Sequence, residues 1–431
     1  MKPTSCALRR SIRKTHDMRS DCRRRDICRL CDGHNLEIAL SLPPTPPANA
    51  FVGIDRVGVE QPTFPLDVYL CADCTHLQLL DIVDPILLFG SYVYVSGTSP
   101  SFVRHFEDYA AEVLSRYPPK DAGFVVDIGS NDGTLLRAFD KAGHRTLGID
   151  PARDIAATAT AAGIETLVGF FNSKMAQDIR RSHGPADVVT ANNVFAHIDD
   201  LGDVTDGVEK LLAPSGVFVL EVSYLVDVVQ KNLFDTIYHE HLSYHAVAPL
   251  IGFFARHGMQ IIDAQRVASH GGSLRCIVQR QDGPRTVQTN VSERLEEESM
   301  LGLGQLKRYR SFDRDIEAIG RELRDLIENE KSAGKTISGF GAPAKLTTLM
   351  YKFGLDSRHV DFIIDDSPWK QGLFTPGLHL PVVSADILRE QSPDYLLIFA
   401  WNFAEQIIAR NQAFADNGGR FIVPLPRPRV I

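Results

Sequence analysis

The sequence predicts an α/β architecture: a small four-cysteine module followed by two units with doubly wound parallel sheets. Three observations carry this reading. Two Cys-x-x-Cys pairs, Cys28-Arg-Leu-Cys31 and Cys71-Ala-Asp-Cys74, stand near the N-terminus. Between residues 123 and 222 short β-branched runs alternate with helical segments. A second strand, glycine turn and helix, built on Gly339-Phe-Gly341, opens another alternation from Lys335 onward.

Size and composition agree. A chain of 431 residues exceeds one ordinary core, so two or three domains are expected. A hydrophobic fraction of 44% and a charged fraction of 23% are those of a globular protein. The net charge of -8 gives no electrostatic reason to expect nucleic acid or an acidic membrane as partner. No apolar run reaches the ~18–20 residues that span a bilayer, and a cytoplasmic location is the expectation. Residues 1–25 carry Arg9, Arg10, Arg13, Lys14, Arg19 and Arg23 to Arg25 with no apolar stretch behind them. They read as a disordered basic tail, or as a start placed upstream of Met18, and not as a secretory signal.

The cysteines come first. Each Cys-x-x-Cys places two thiolates on one tight turn, and two such turns complete the four-sulfur shell that Zn²⁺ prefers. Cys28, Cys31, Cys71 and Cys74 are the expected ligands, whereas Cys6 and Cys22 fall in the tail. A closed four-thiolate shell leaves no position for catalysis, so the ion is expected to be structural. Redox cysteines are the competing explanation, but neither pair sits between a strand and a helix as a thioredoxin-like motif would. The wide gap between the pairs needs a loop or hairpin. Residues 64–70 alternate like a strand entering the second pair, and Pro43-Pro-Thr-Pro46-Pro47 reads as loop. The remainder of 26–90 looks irregular and too small to fold without metal.

Residues 91–100 are polar and aromatic, as in a loop, and include Tyr92 and Tyr94. A helix is expected over 102–116, with Phe106, Tyr109, Ala110 and Val113 on one face. Strands at 123–128, 145–150, 186–191 and 216–222, with helices at 133–141 and 153–161, give a parallel sheet covered on both faces. The stripe Leu306, Tyr309, Phe312, Ile316, Ile319, Leu323 and Leu326 predicts a long amphipathic helix over 306–329 that links or packs across domains.

The turn Asp127-Ile-Gly129-Ser-Asn131-Asp132-Gly133 follows the first strand of this sheet. A dinucleotide fold would place G-x-G-x-x-G here, aiming bare amides at a pyrophosphate. Two carboxylates near the turn suit an ammonium group instead. Asp150, closing the next strand, can accept from ribose hydroxyls, and Asn192-Asn193 ends the fourth strand, followed by His197. S-adenosylmethionine carries an ammonium and a sulfonium and no phosphate, so it is the expected cofactor. The set Asp127, Gly129, Asn131, Asp132, Gly133, Asp150, Asn192, Asn193 and His197 is its expected cradle.

Tyr238-His239-Glu240-His241 is the densest ionisable cluster in the chain. Histidine beside glutamate supplies a proton acceptor near neutral pH with a carboxylate to orient or tune it. The spacing is not H-E-x-x-H, so a zinc-protease site is excluded. The structural alternative is a set of surface imidazoles at a helix start.

With the cysteine pairs, Tyr92-x-Tyr94-x-Ser96, Tyr238-His-Glu-His241, His270-Gly-Gly-Ser273-Leu-Arg275, Gly339-Phe-Gly-Ala-Pro-Ala-Lys345 and Asp365-Asp-Ser-Pro-Trp-Lys370-Gln-Gly372 in place, the chain resembles the nucleotide-sugar C-methyltransferase family. The likeness runs over nearly everything after residue 26. It implies a zinc-binding module at 26–90, a class I S-adenosylmethionine-dependent methyltransferase domain of Rossmann-like fold at 91–285, a linking helix at 286–332, and a C-terminal Rossmann-like substrate-binding domain at 333–431. The substrate it implies is a nucleoside-diphosphate 4-keto-deoxysugar, methylated at C3. The resemblance makes His241 the base that removes the proton beside the ketone. Glu240 would orient it or hold a sugar hydroxyl, Tyr92 or Tyr94 would complete the pocket, and Tyr238 and His239 are further candidates. The zinc would brace the loop carrying Tyr92 and Tyr94. Lys345 and Lys370 would meet phosphate, with a surface lysine the plain alternative for Lys370. Transfer at C5, or to oxygen or nitrogen of a related sugar, remains open. So does a zinc-containing nucleotide-sugar-binding protein without catalysis. Nicotinamide binding by the last domain lacks a full G-x-G-x-x-G. Nothing in the sequence sets the oligomeric state.

Overall fold

The computed structural model describes residues 21–89, 97, 100–119 and 121–431. Tyr92, Tyr94 and Ser96 lie outside the described residues.

The cysteine module is a sheet rather than an irregular segment. Leu36–Thr45, Phe64–Cys71 and Leu77–Leu79 pair antiparallel, and a fourth strand, Ser243–Tyr244, completes the sheet from far along the chain. The module therefore shares its sheet with the segment that follows His241. Pro43 and Pro44, expected in a loop, belong to Leu36–Thr45. That strand is at the edge, where a missing N–H costs no ladder bond, and the register shifts between Leu42 and Thr45. The basic tail also ends earlier than expected. Cys22–Arg24 forms a strand with Asp81–Val83, because Arg24 pairs with buried Asp81 and Arg23 and Arg25 both reach Asp199.

The central sheet has seven strands: β1 (Phe124–Ile128), β2 (Arg145–Asp150), β3 (Thr166–Val168), β4 (Ala186–Asn192), β5 (Leu212–Ser223), β6 (Met259–Val267) and β7 (Ser273–Arg280). Their order is β6-β7-β5-β4-β1-β2-β3, with β7 antiparallel to both neighbours. All five residues of β1 are buried, as a parallel strand covered on both faces requires. Helix α1 (Pro100–Arg116) covers one face with Phe106, Tyr109, Ala110 and Val113, packed with Val125 and Val219. The topological switch point lies between β1 and β4, where the chain reverses its direction of strand addition.

The expected linking helix is two helices. Thr289–Leu301 stops at Gly302, which takes the left-handed φ of 73°, and Leu306–Ser332 follows. The long helix buries Tyr309, Phe312, Ile316, Ile319, Leu323 and Ile327, and it packs against Leu36–Thr45 and Lys345–Phe353. The last unit is a six-stranded sheet ordered Val382–Val383, Ile363–Ile364, Ile337–Phe340, Tyr395–Ile398, Arg420–Val423 and Arg429–Val430, parallel but for the last pair.

One buried carboxyl fastens this core. Glu298 accepts from the amides of Val247 (2.7 Å) and Ala248 (2.9 Å), which open the helix Val247–Arg256, and from the Tyr224 hydroxyl (2.8 Å). It thereby satisfies helix-end donors that burial would otherwise orphan. Glu298→Ala is expected to lower the unfolding free energy by about 3 kcal/mol, read as a lower denaturant midpoint.

Candidate active site

The four predicted ligand sulfurs converge. Cys28 Sγ is 3.6 Å from Cys74 Sγ, Cys31 Sγ is 3.5 Å from Cys71 Sγ, and all four lie within 4.8 Å of one another. A tetrahedron with Zn–S arms of ~2.3 Å has edges of ~3.8 Å, so the donor set fits the ion. The bare thiols are in electrostatic conflict. The hydrogen bond from Cys74 holds Cys28 down at about 5, the same pairing pushes Cys74 up, and burial pushes Cys31 up to about 12. A dication at the centre removes that conflict by favouring all four thiolates.

The module reaches the central unit through Arg29, which sits between the first two ligands. Its side chain is fully buried. It donates to Asp199 Oδ1 (3.0 Å), to the Leu79 carbonyl (2.6 Å) and to the Leu242 carbonyl (3.1 Å). Asp199 follows His197 by two residues, and Leu242 follows His241 directly. The metal turn is thus tied to both histidine segments. Nothing along the chain signals this, because an arginine inside Cys-x-x-Cys looks like any exposed turn residue.

The cofactor turn forms as the glycines demand. Gly129 has φ 70°, and a Cβ there would come within 2.3 Å of Val194; Gly133, with φ 75°, opens helix Thr134–Lys141. Asp150 accepts from the amides of Asn131 (2.9 Å) and Ala152 (2.8 Å), fixing the turn while keeping lone pairs for a ligand. Asp127 lies beneath, held by the Thr190 hydroxyl (2.6 Å), and burial raises its carboxyl to about 7. The fit to a ligand shows at Asn192. Both polar atoms of its side chain are buried beside the Tyr109 hydroxyl, and neither makes a hydrogen bond of ordinary geometry among the described residues. Asn193, at φ 55°, donates its amide to the Glu221 carbonyl (2.7 Å). Asp132 has protein partners of its own. Its carboxylate caps the helix through the Thr134 amide (3.2 Å) and hydroxyl (2.6 Å), and it also faces Arg137 and the Gly97 amide.

Tyr238–His241 is not a row of surface imidazoles on a helix. It is a tight turn running into the strand Ser243–Tyr244. His241 Nδ1 donates to the Thr236 carbonyl (2.7 Å), because a carbonyl can only accept. That fixes the tautomer and leaves Nε2 with a lone pair, 3.0 Å from the Tyr238 hydroxyl. Burial lowers His241 to about 4, so the ring is neutral at physiological pH. The His197 ring stacks on it at 5.0 Å, and burial likewise keeps His197 neutral. The stack brings the end of β4, with Asn192 and Asn193, beside the Tyr238–His241 turn.

The two remaining members of the cluster turn elsewhere. Glu240 does not orient His241; Thr236 and Tyr238 do that. Glu240 Oε1 accepts from Asn49 Nδ2 (2.8 Å), and burial raises the carboxyl to about 7. His239 is fully buried, with Nε2 donating to the Phe64 carbonyl (3.2 Å) and the ring edge-on to Phe64, so it packs the junction with the cysteine module rather than facing a ligand.

Lys345, expected to meet phosphate, is half-buried and engaged with neighbouring side chains. Its ammonium donates to Asn402 Oδ1 (2.5 Å) and sits 3.9 Å from the centre of the Trp401 ring. Burial lowers it to about 8, against the opposing pull of Asp235. Asp235 in turn accepts from Trp401 Nε1 (2.6 Å), which latches the segment before Tyr238 onto the last domain. The nearby glycine turn is equally committed: Gly341 N donates to Ile364 O (2.6 Å) and Ala342 N to Asp365 Oδ2 (2.6 Å). Lys370 donates to the Ala342 carbonyl (2.8 Å) and lines a cavity of about 290 Å³ with Asn49, Phe51, Leu88, Glu240 and Trp369. The motif His270 to Arg275 supports the sheet. A Cβ on Gly272 would collide with Asp227, and Arg275 pairs with buried Glu221, which also takes His105 at 2.9 Å.

Comparisons with known proteins agree with this geometry. Residues 28–89 match a zinc binding domain, 102–264 a methyltransferase domain and 268–426 a C-methyltransferase C-terminal domain. The C-methyltransferase NovU of Streptomyces niveus is 37% identical over 406 residues, covering 94% of this chain and 97% of NovU. The chain belongs to the NovU family of C-methyltransferases. A ubiquinone biosynthesis O-methyltransferase of Colwellia psychrerythraea is 25% identical over 195 residues, 42% of this chain and 79% of that protein. Magnesium protoporphyrin IX methyltransferase of Synechocystis, solved with bound SAH, aligns at 15% identity with a TM-score of 0.33 over 41% of this chain and 83% of that one. This C-methyltransferase uses S-adenosylmethionine as methyl donor and carries a structural Zn²⁺ on its four cysteines. The alternative of a protein without catalysis therefore falls. No helix among the described residues is long and apolar enough to cross a membrane.

Cys71→Ser is expected to abolish stoichiometric zinc binding, measured by atomic emission on the purified protein, and to lower the thermal midpoint by several degrees. Asp150→Ala is expected to weaken S-adenosylmethionine binding at least tenfold in calorimetry, with the fold unchanged by circular dichroism.

Proposed function

We propose that the enzyme methylates C3 of a nucleoside-diphosphate 4-keto-deoxysugar, with His241 as the base. The observation that carries this reading is the state of His241: neutral, tautomer fixed by Thr236, lone pair on Nε2, and stacked through His197 on the end of β4. A carbon acid needs such a base, whereas transfer to a sugar oxygen or nitrogen has less use for one.

S-adenosylmethionine supplies an electrophilic methyl on a sulfonium and departs as a neutral thioether. The chain's own residues do the rest. Asn192, with its buried amide, and Asp150 hold and orient the donor at the strand ends. His241 Nε2 takes the proton from the carbon beside the ketone, and the C–H electrons spread onto the keto oxygen as an enolate. The Tyr238 hydroxyl gives up its contact with Nε2 as the proton arrives. Tyr92 or Tyr94 would donate to the developing oxyanion. Glu240 and Lys370 line the cavity next to this turn, where they would bind sugar hydroxyl and phosphate oxygens respectively. The sugar is extracted from water between the cysteine module and the last domain, which strengthens each of these contacts.

His241→Gln keeps a side chain that hydrogen-bonds but cannot take a proton. It is expected to lose 10²–10⁴-fold in turnover while binding S-adenosylmethionine normally. Wild-type enzyme should exchange deuterium at the carbon beside the ketone, and NMR of the product should place the new methyl at C3. Exchange at C5, or a methyl on oxygen or nitrogen, overturns the regiochemistry. In nitrogen-15 NMR the His241 ring is expected to stay neutral from pH 8 down to pH 5 and to charge towards pH 4.

A further inference from the structure

The loop between the two cysteine pairs does more than connect ligands. Residues 46–62 leave the module and lie along the last domain. Val52 and Phe374 exchange backbone hydrogen bonds in both directions (3.0 and 2.9 Å). Gly377 N donates to Gln61 Oε1 (2.6 Å), Gly58 N donates to His379 Nδ1 (3.0 Å), and the Thr347 hydroxyl reaches the Ala48 carbonyl. Between these anchors Gln61 Nε2 donates back to the Ala50 carbonyl (2.9 Å), so the loop is braced on itself just beside the cavity. Pro47, Asn49, Ala50 and Phe51 form one wall of that cavity, and Glu240, Trp369 and Lys370 line the rest of its polar and aromatic surface.

Resting on the nucleotide-sugar reading above, we propose that Asn49 is a positioning residue for Glu240 and that the loop carrying it sets how tightly the sugar is held. Glu240 is 3% exposed and makes no ion pair among the described residues. Its one hydrogen-bonded partner of ordinary geometry there is the Asn49 amide. A carboxyl so enclosed has few ways to choose a rotamer, and the Asn49 donor chooses it. The partner is an amide rather than a cation, so the carboxyl keeps accepting capacity for a sugar hydroxyl. An arginine at the same place would neutralise it and fill the space.

Electrostatics around Glu240 agree. Burial raises its carboxyl to about 7, and the Asn49 hydrogen bond works against that rise by favouring the charged form. The walls at 47–51 and 87–88 bring no charge, 369–373 brings Lys370, and on its own turn Glu240 is flanked by the neutral rings of His239 and His241. Loss of the Asn49 donor therefore moves the ionisation of Glu240 upward.

The test uses full-length zinc-loaded enzyme. Asn49→Ala is expected to raise KM for the nucleotide sugar about tenfold, to leave KM for S-adenosylmethionine within twofold, and to raise the Glu240 ionisation read by carboxyl carbon-13 NMR. In a double-mutant cycle, Asn49→Ala added to Glu240→Gln should cost little more than Glu240→Gln alone, because both remove one contact. Additive losses, an unchanged sugar KM, or equal rises in both KM values overturn the proposal. Should Asn49→Ala fail to fold, Gln61→Ala loosens the loop from outside the cavity. It is expected to raise the sugar KM severalfold with the S-adenosylmethionine KM unchanged, and no change in sugar KM overturns the role of the loop. Wild-type enzyme that binds S-adenosylmethionine yet methylates no nucleotide sugar would instead defeat the substrate reading. The carbon-13 shift of Glu240 in Asn49→Ala would then still decide the positioning role.

Discussion

The buried guanidinium of Arg29 is the interaction on which the site's arrangement depends. It sits between two metal ligands, out of water, and its Nε and Nη1 donate to Asp199, Gln78, Leu79 and Leu242. Removing such a charge from water is costly, and burial, against the opposing pull of Asp199, lowers its basicity to about 10. Only a rigid setting that supplies acceptors on several sides makes the placement tolerable. The zinc turn provides the rigidity, and the segments after His197 and His241 provide the acceptors. Through Arg29 the metal turn is tied to the two histidine segments, while the loop with Tyr92 and Tyr94, which the metal was expected to brace, lies outside the described residues.

The turn from Leu233 to Tyr244 is where three units meet. Asp235 and Ile237 are held by Trp401 and Thr348 of the last domain. His239 and Glu240 are held by Phe64 and Asn49 of the cysteine module. His241 stacks on His197 of the central sheet. A short loop exposed to solvent would sample many conformers. Here successive residues are pinned by three different units, so the imidazole is pre-organised at the cost of tying all three units together. The neutral state of the ring follows from the same enclosure.

Much of the fold was legible because it repeats. The β-branched runs at 123–128 and 186–191, the glycines at 129 and 133, and the apolar stripe from Leu306 to Ile327 each impose a period or a backbone angle that few structures satisfy. The four cysteines were legible for a similar reason, since spacing within each pair fixes local geometry. Other features were not. Asp132 reads as a cofactor carboxylate because of its place in the turn, and it also accepts from the Thr134 hydroxyl and amide and the Gly97 amide. Lys345 reads as a phosphate group because it follows a glycine turn, yet Trp401 and Asn402, more than fifty residues on, enclose it. Asn49 lies in a proline-rich loop that carries no pattern at all.

The sequence by itself determined which chemistries the chain could host: a four-thiolate metal shell, a sheet with a donor-binding turn, and an imidazole beside a carboxylate. Those follow from residue type and short spacing, which act within a few bonds. Tertiary structure alone decided which of these groups face one another. It set Glu240 against Asn49 rather than His241, gave the cysteine sheet its fourth strand from residues 243–244, and brought Lys345 onto Trp401 and Asn402. Burial and hydrogen-bond direction are properties of the packed chain, and they fix the protonation state and orientation that turn a list of candidate side chains into a site.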